Sequence, residues 1–515
     1  MKQTFVDALN KINNSLLFYI KLLNKSLLLQ YFLFIYFTVI YYFLLKDHIL
    51  WRDETRPILI VNSSKSFLEF FEAIRYETSP MLYHFILWII TKITPLTPDI
   101  VKVFFFIVQI AILYVILFLI KIPNVYRLLI LLQTSQIGYF LHIRQYPLAV
   151  LFILLFSYFY TKYGINNIFL YLILFLLSQT CLHGCIISFM LLIFAIINRS
   201  YFDKKLFDLK CLIVFIGIAF SILQLIQPTD LIQGAVGWKQ PFNFESLQFL
   251  AFLICDVFFN NFLIGCGFYI ITWVILRKVS SCKSILTFNF VFCCSVIFIC
   301  FYLIGILKYQ TFARHHWLLT YTMISLLAIL VNICKDKITQ FKYCGIGLAG
   351  FLIISSVNFS SQIPQYLILI SNSKNVATFL DNYCPNKIIL GKLEYLVDPI
   401  FAYRKYHPGY YALTRQGFID YTRWNHPSAD YTKFKDLIFV LKFSELIKDL
   451  NTVSDSILKT EPVVVISAHK IVNNLKIPLE KIKIKNKYYL KSVGEFSGAL
   501  IENYSLYIVR KGNNM

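Results

Sequence analysis

Two adjacent carboxylates between two guanidiniums, Arg52-Asp53-Glu54-Thr55-Arg56, are the densest group of reactive side chains in this chain. A carboxylate so placed can take a proton from a hydroxyl or ligate a divalent cation. The flanking arginines keep it ionised and can grip a phosphate. The plain alternative is a solvated loop anchored by Trp51. A second group follows at Arg75-Tyr76-Glu77-Thr78-Ser79-Pro80-Met81-Leu82-Tyr83-His84, where Pro80 suits a helix start and Tyr83 is equally an interfacial anchor. Polar residues also interrupt apolar sequence at Gln136, at His142 with Arg144-Gln145-Tyr146, at His183, at Trp238-Lys239-Gln240-Pro241 and at Arg314-His315-His316. Ionisable groups at membrane depth point to a functional cavity by default, although each of these also reads as a residue at the water boundary. The tandem His315 and His316 have no evident third ligand in the sequence, which argues against zinc.

The elements that must hold these residues are membrane helices. Hydrophobic residues make up 58% of the 515 and charged ones 15%, against about 25% charged in a soluble domain. The apolar residues cluster in Leu27–Leu45, Val101–Ile120, Leu148–Tyr160, Leu212–Ile226, Ile285–Leu307 and Trp317–Ile333. Several of these blocks approach the roughly 20 residues needed to cross hydrocarbon. The first block is too long and too late for a cleaved signal peptide. A net charge of +22 would suggest nucleic acid in a soluble protein. Here it fits basic loops on the cytoplasmic face, and no nucleic-acid partner is expected. Most of the twelve cysteines lie in apolar stretches as small buried hydrophobes, and Cys384 is alone in the polar C-terminal region.

Composition divides the chain into a basic cytoplasmic arm (1–26), a transmembrane region (27–358) with a polar external loop at 46–80, and an external soluble α/β domain (359–515). The loop holds six acidic and five basic residues, and Phe67–Tyr76 within it has the spacing of an amphipathic surface helix. In the C-terminal region Lys387–Leu390, Asp436–Leu441, Pro462–Ser467 and Ser505–Arg510 read as strands and Ser444–Leu450 as a helix. Basic segments at Arg199–Lys210, Arg277–Lys283 and Lys335–Lys342 read as cytoplasmic. That puts loop 46–80 and the C-terminal domain together outside. The expected architecture is an all-α polytopic membrane protein of about 11–12 spans. An inside start and an outside end require an odd number. Either Met81–Ile93 is an incomplete crossing, or Asn167–Asn198 is one long helix instead of a pair turning at His183-Gly184. The first option puts Arg144 at the outer face and is preferred because it leaves Lys121 and Arg127 cytoplasmic.

In order along the chain, Trp51-Arg52-Asp53-Glu54 after a span, Glu77-Thr78-Ser79-Pro80-Met81-Leu82-Tyr83 and Arg144-Gln145-Tyr146-Pro147-Leu148 resemble the GT-C glycosyltransferase superfamily. The likeness is to its bacterial branch of lipid A aminoarabinose transferases, protein O-mannosyltransferases and related lipopolysaccharide sugar transferases. Ser79 stands where that pattern has its first proline, and His84 replaces a second tyrosine. The arrangement spans residues ~30–360 through short motifs. The resemblance implies transfer of a sugar from a polyprenyl-phosphate donor to a glycolipid, polysaccharide or protein acceptor at the outer face, with inversion. It makes Asp53 the main catalytic carboxylate, assisted by Glu54. It makes Arg52, Arg56, Arg75 and Arg144 candidates for the carrier phosphate, with Glu77, Tyr83, His84, Tyr146, His183 and Arg314 as further substrate-binding positions. No cofactor is certain; Mg or Mn held by Asp53 is allowed. The localisation implied is a multi-pass cell-membrane protein, of the bacterial inner membrane on that branch. Triplets such as Asn62-Ser63-Ser64 are too common to separate this from the endoplasmic reticulum. In the C-terminal domain Tyr395, Tyr403, Tyr406, Tyr410, Tyr411 and Trp424 offer either a sugar-stacking surface or, more simply, packing.

Rival readings are a polyprenyl-linked oligosaccharide flippase, an O-antigen-polymerase-like protein and a membrane scaffold. A flippase predicts internal repeats and mid-span ionisable residues, neither of which the sequence offers. A polymerase predicts its large external loop late in the chain, and a scaffold tolerates loss of the Asp53 charge.

Overall fold

The computed structural model describes residues 26–226, 284–307, 313–333 and 371–512, less short breaks of which the longest is 423–439. The expected features at Gln136, Trp238–Pro241, Tyr406 and Trp424 lie outside the described residues, as do the cytoplasmic arm apart from Ser15 and Ser26, and residues 334–355 of the expected transmembrane region.

Among the described residues helices dominate as far as residue 333. They are α1 (Leu27–Asp47), α2 (Arg52–Ser63), α3 (Phe67–Ile74), α4 (Leu82–Thr91), α5 (Pro98–Tyr114, extended by a wider turn over Val115–Leu119), α6 (Asn124–Leu131), α7 (Tyr146–Tyr163), α8 (Ile168–Ser178), α9 (Leu182–Asp203), α10 (Cys211–Leu225), α11 (Ser284–Leu307) and α12 (Ala313–Ile333). Side-chain caps start several of them: Ser26, Ser66 and Thr97 accept from the amides of Leu29, Glu69 and Ile100.

Six helices among the described residues are long and apolar enough to cross a membrane, within α1, α5, α7, α9, α11 and α12. The pattern of burial agrees with a lipid-facing bundle. On α1, Leu33, Phe37, Tyr41 and Leu44 are buried at helical spacing, while Leu28, Phe32, Tyr36 and Phe43 face outward. Large apolar side chains so exposed would be costly in water and cost nothing in hydrocarbon. α12 sits at the centre, against α7, α9 and α11. Hydroxyls and amides bind across the contacts where apolar packing gives little net drive. Ser157 donates to the Ser325 carbonyl at 3.1 Å, and Ser325 donates back to the Ile153 carbonyl at 2.9 Å. Asn289 reaches the Phe194 carbonyl and the Asn198 side chain.

Contacts at the helix ends fix the path of the chain. Lys102, in the first turns of α5, donates to the Lys46 carbonyl at the end of α1. At the opposite end Asn124 donates to the Ser26 carbonyl. The chain therefore leaves the bundle at residue 47 and re-enters at 98 on the same end. Everything between, α4 included, stays at that end. Asn62 closes the excursion by donating to the Leu96 carbonyl at 2.9 Å. α4 has ten residues, about 15 Å of helix, which is half of the hydrocarbon thickness. Arg144 lies at the end that carries α2, as the option with an incomplete crossing at Met81–Ile93 requires.

Asn167–Asn198 is a pair of helices, not one. Ser188 of α9 donates to the Leu174 carbonyl of α8, as antiparallel neighbours do. The turn falls at Gln179-Thr180-Cys181 instead of His183-Gly184, which belong to the first turn of α9. Gln179 explains the shift: its side-chain amide donates to the Gly217 carbonyl and to Ser221, and its backbone carbonyl accepts from the Leu82 amide. Gly184 is required by proximity, because a Cβ there would stand 2.4 Å from the Thr180 hydroxyl and 2.7 Å from the Leu177 carbonyl.

The C-terminal domain is a mixed sheet between helices. Its strands are β1 (Ile389–Lys392), β2 (Tyr410–Ala412), β3 (Gly417–Ile419), β4 (Val440–Lys442), β5 (Val463–Ser467), β6 (Lys470–Val472), β7 (Tyr488–Phe496) and β8 (Tyr504–Lys511). Six of them form one sheet in the order β3-β2-β1-β5-β8-β7, and β4 pairs with β6 separately. The helices are α13 (Ser373–Tyr383), α14 (Glu394–Tyr403), α15 (Phe443–Thr452) and α16 (Asp455–Leu458). Residues 463–466 are four consecutive apolar residues because β5 is covered on both sides. Val463 and Val465 face the core shared with α13 and α14, and Val464 and Ile466 face Leu446 and Leu450 of α15. α14 lies on α2, so the domain is seated on the helix that begins with the Arg52–Arg56 cluster.

Candidate functional site

α2 begins where α1 has ended. Trp51 is extended and its indole cannot accept a hydrogen bond. Asp53 and Glu54 fill the first turn, where the helix dipole favours negative charge. The expected solvated loop is a buried helix: every residue from Glu54 to Val61 is buried. Its cover comes from α4 nearby and from α14, more than 300 residues away in sequence.

The two carboxylates part company. Glu54 is fully buried and ties three segments together. It meets His48 Nε2 at 2.8 Å and accepts from the Ile143 amide at 2.9 Å and from the Trp51 amide at 3.4 Å. Asp53 keeps 31% of its side chain exposed. Arg144 Nη1 lies 3.5 Å from its Oδ2 and Arg52 Nε 3.8 Å from its Oδ1. Both are charge contacts longer than a good hydrogen bond, and they place the partly exposed carboxylate between two guanidiniums.

The arginines divide in the same way. Arg56 is buried and committed: Nε donates to Glu77 at 2.6 Å and Nη1 to the Thr422 carbonyl at 2.7 Å. Burial alone would lower its pKa, but Glu77 outweighs that and raises it. Burial would likewise raise the pKa of Glu77, and Arg56 holds it below the usual carboxylate range. The expectation that Arg56 grips a phosphate is therefore corrected: its donors bind the protein. Arg52 lies over the rings of Trp51 and Tyr395 and donates to the Tyr395 hydroxyl at 3.3 Å. Arg75 is exposed at the end of α3, and among the described residues no contact joins it to Asp53. Arg144 is half-buried, and among the described residues its Nε is enclosed without a hydrogen-bond partner. Burial opposes its charge, but Asp53, Tyr146 and Glu77 raise its pKa above the ordinary value.

Behind this pair stand Tyr83 and His84 of α4, both fully buried with ring centroids 5.4 Å apart. The Tyr83 hydroxyl and both His84 nitrogens lack hydrogen-bond partners among the described residues. Buried polar atoms left so are uncommon in native proteins. Tyr146 stacks on His142 and its hydroxyl meets His315 Nε2 at 2.7 Å. His315 stacks on His183 with centroids 4.7 Å apart. Arg314 is in α12 by its backbone, and its side chain lies outside the described residues.

No three or more His, Cys, Asp or Glu side chains converge as metal ligands among the described residues. Asp53 faces two guanidiniums, which oppose a divalent cation beside it. The residues present do not fit Mg or Mn at this carboxylate.

Sequence reasoning missed His48, Thr422 and Glu502, none of which belongs to a motif. Tyr395 and Tyr403 serve the packing alternative, touching Arg52 and the Leu50 amide. Tyr410 and Tyr411 are buried in the two cores of the domain.

Fold and site together define a helical chain of membrane type with a C-terminal α/β domain seated over a buried polar cluster. The chain matches no protein-family model and no curated protein.

Proposed function

We propose that this protein is a GT-C-like glycosyltransferase that moves a sugar from a polyprenyl-phosphate donor to a hydroxyl of a glycolipid, polysaccharide or protein. The observation that carries the reading is the meeting of Asp53 and Arg144 at one end of the apolar bundle. α1 ends at Asp47 and α7 begins at Tyr146, so both residues stand at a helix terminus, the depth at which a lipid phosphate lies. Lys121, Arg127, Arg199 and Lys210 belong to the opposite end, which supports an external site by the positive-inside rule.

In this reading the Asp53 carboxylate takes the proton of the acceptor hydroxyl as its oxygen attacks the anomeric carbon. The bond from that carbon to the phosphate oxygen breaks, and the electron pair leaves with the polyprenyl phosphate. Arg144 receives the developing negative charge in a site of reduced dielectric. One displacement inverts the anomeric centre. Glu54 positions the loop 142–143 that leads into Arg144, and takes no proton itself.

The test uses full-length protein in nanodiscs with radiolabelled polyprenyl-phosphate pentoses and hexoses and an extracted membrane glycolipid fraction. Transfer with release of polyprenyl phosphate is expected, and D53N should lose it at unchanged expression. Absence of transfer with every donor, or D53N turning over at the normal rate, would sink the reading. A flippase would instead move labelled lipid across vesicles whatever occupies position 53.

A further inference from the structure

The first turn of α2 is held from outside the membrane bundle. A helix start leaves amide donors without intrahelical partners. Here the Trp51 carbonyl takes the amides of Glu54 and Thr55 at 2.9 Å each. The Arg52 amide is satisfied by Glu502 Oε1 at 2.9 Å, from a residue 450 positions later. Two residues before Arg52, the Leu50 amide donates to the Tyr403 hydroxyl at 2.6 Å, and the Leu50 carbonyl accepts from Ser373 at 3.4 Å. Glu502 is itself fixed: it is fully buried, its Oε2 accepts from Ser371 at 2.5 Å and from Tyr504 at 3.3 Å, and its backbone bridges to Ser371. These contacts hold the entry to α2 without touching the Asp53 carboxylate.

We propose that Glu502 is a positioning residue: by binding the Arg52 amide it sets the first turn of α2 and so the place of the Asp53 carboxylate against Arg144. The inference rests on the transferase reading for its effect on turnover, but the clamp itself is a structural claim. It assigns the C-terminal domain a part in the site distinct from acceptor recognition.

The charged and titratable groups around Glu502 are Arg52, Tyr504 and Tyr403. Burial pushes its carboxyl up to about 7, against the pull of Ser371 and Arg52. Above that value ionisation favours a hydrated carboxylate, which it reaches by opening the clamp. The clamp therefore loosens as pH rises through about 7, and a variant that cannot ionise is indifferent.

Hydrogen exchange of the full chain in nanodiscs, corrected for the intrinsic effect of pH, reads the clamp directly. In E502A the amides of Arg52 and Asp53 should exchange at least tenfold faster while β5 and β8 stay protected. E502Q, whose amide oxygen still accepts, should restore most of that protection and show no pH step near 7. Y403F is the second variant should E502A fail to fold; it should loosen Leu50 and Arg52 alone. In the transfer assay E502A should lower kcat with KM little changed, with partial rescue in E502Q. Unchanged exchange at Arg52 and Asp53 overturns the proposal, and so does faster exchange with unaltered kcat in an active protein. A wild type inactive on every donor overturns the transferase reading instead, and exchange alone then decides the clamp.

Discussion

Replacing Glu77 by glutamine removes one charge from a pair that the fold has taken out of water. Arg56 and Glu77 keep 9% and 5% of their side chains exposed and lie 2.6 Å apart. With the charges centred ~4 Å apart and an effective dielectric of about 20, their attraction is about 4 kcal/mol. In E77Q the new side-chain carbonyl still accepts from Arg56, which returns about 1 kcal/mol. The net loss should be about 3 kcal/mol, the lower edge of what breaking a buried pair costs. Reversible unfolding of the full chain in mixed micelles, driven by added SDS and followed by tryptophan fluorescence, measures it. R56M combined with E77Q should cost less than the sum of the two single changes by at least ~2 kcal/mol, because the partners share one interaction. The acid limb gives a second check. Glu77 titrates below its ordinary range when folded, so its stabilisation is present at neutral pH and lost as pH falls through that lowered value. E77Q should flatten this limb. A cost under ~1 kcal/mol, as for an exposed pair, or strict additivity of the two changes, would refute the placement of this pair in a dry interface.

Other outcomes follow from the same geometry. D53N should reduce turnover by about 10²–10⁴-fold, the span attributed to a general base, with the unfolding midpoint unchanged; turnover and midpoint measured on one preparation check both. R144M should lower kcat by about 10²–10³-fold if its charge stabilises the leaving phosphate, and R144K should recover part, as single-turnover release of polyprenyl phosphate will show. Glu502 binds its proton more tightly folded than unfolded, so stability should decline as pH rises from 4.5 towards 7. E502Q should lack that decline in the same unfolding titration. Y146F should cost about 1 kcal/mol by removing the hydroxyl that meets His315 Nε2.

What the sequence revealed depended on how local the signal was. Leu27–Leu45 and Ile285–Leu307 are readable because a run of apolar residues is its own evidence for a buried or lipid-facing helix. The helix at Phe67–Ile74 is legible from spacing alone. The strands at 387–390, 462–467 and 505–510 are legible as short β-branched runs, whereas β2 and β7 are not, since Tyr410–Ala412 is brief and Tyr488–Phe496 mixes Lys, Ser, Gly and Glu among its apolar residues. α2 escapes for a different reason. Arg52–Arg56 is charged, and it is the packing of other segments over it, α14 among them, that turns a polar stretch into an interior one. The same holds for Arg56, which is a free cation on paper and a buried partner of Glu77 and Thr422 in the fold. Composition cannot tell those two states apart.

The bond between the Arg52 amide and Glu502 also orders events during synthesis. The helix bearing Asp53 emerges early, but the carboxylate that fixes its start is translated 450 residues later. Until then the Arg52 amide lacks the partner that Glu502 supplies, so a chain stalled before the last strand carries that helix without its distant clamp. On the transferase reading, such a chain would present Asp53 without the residue proposed to set its place.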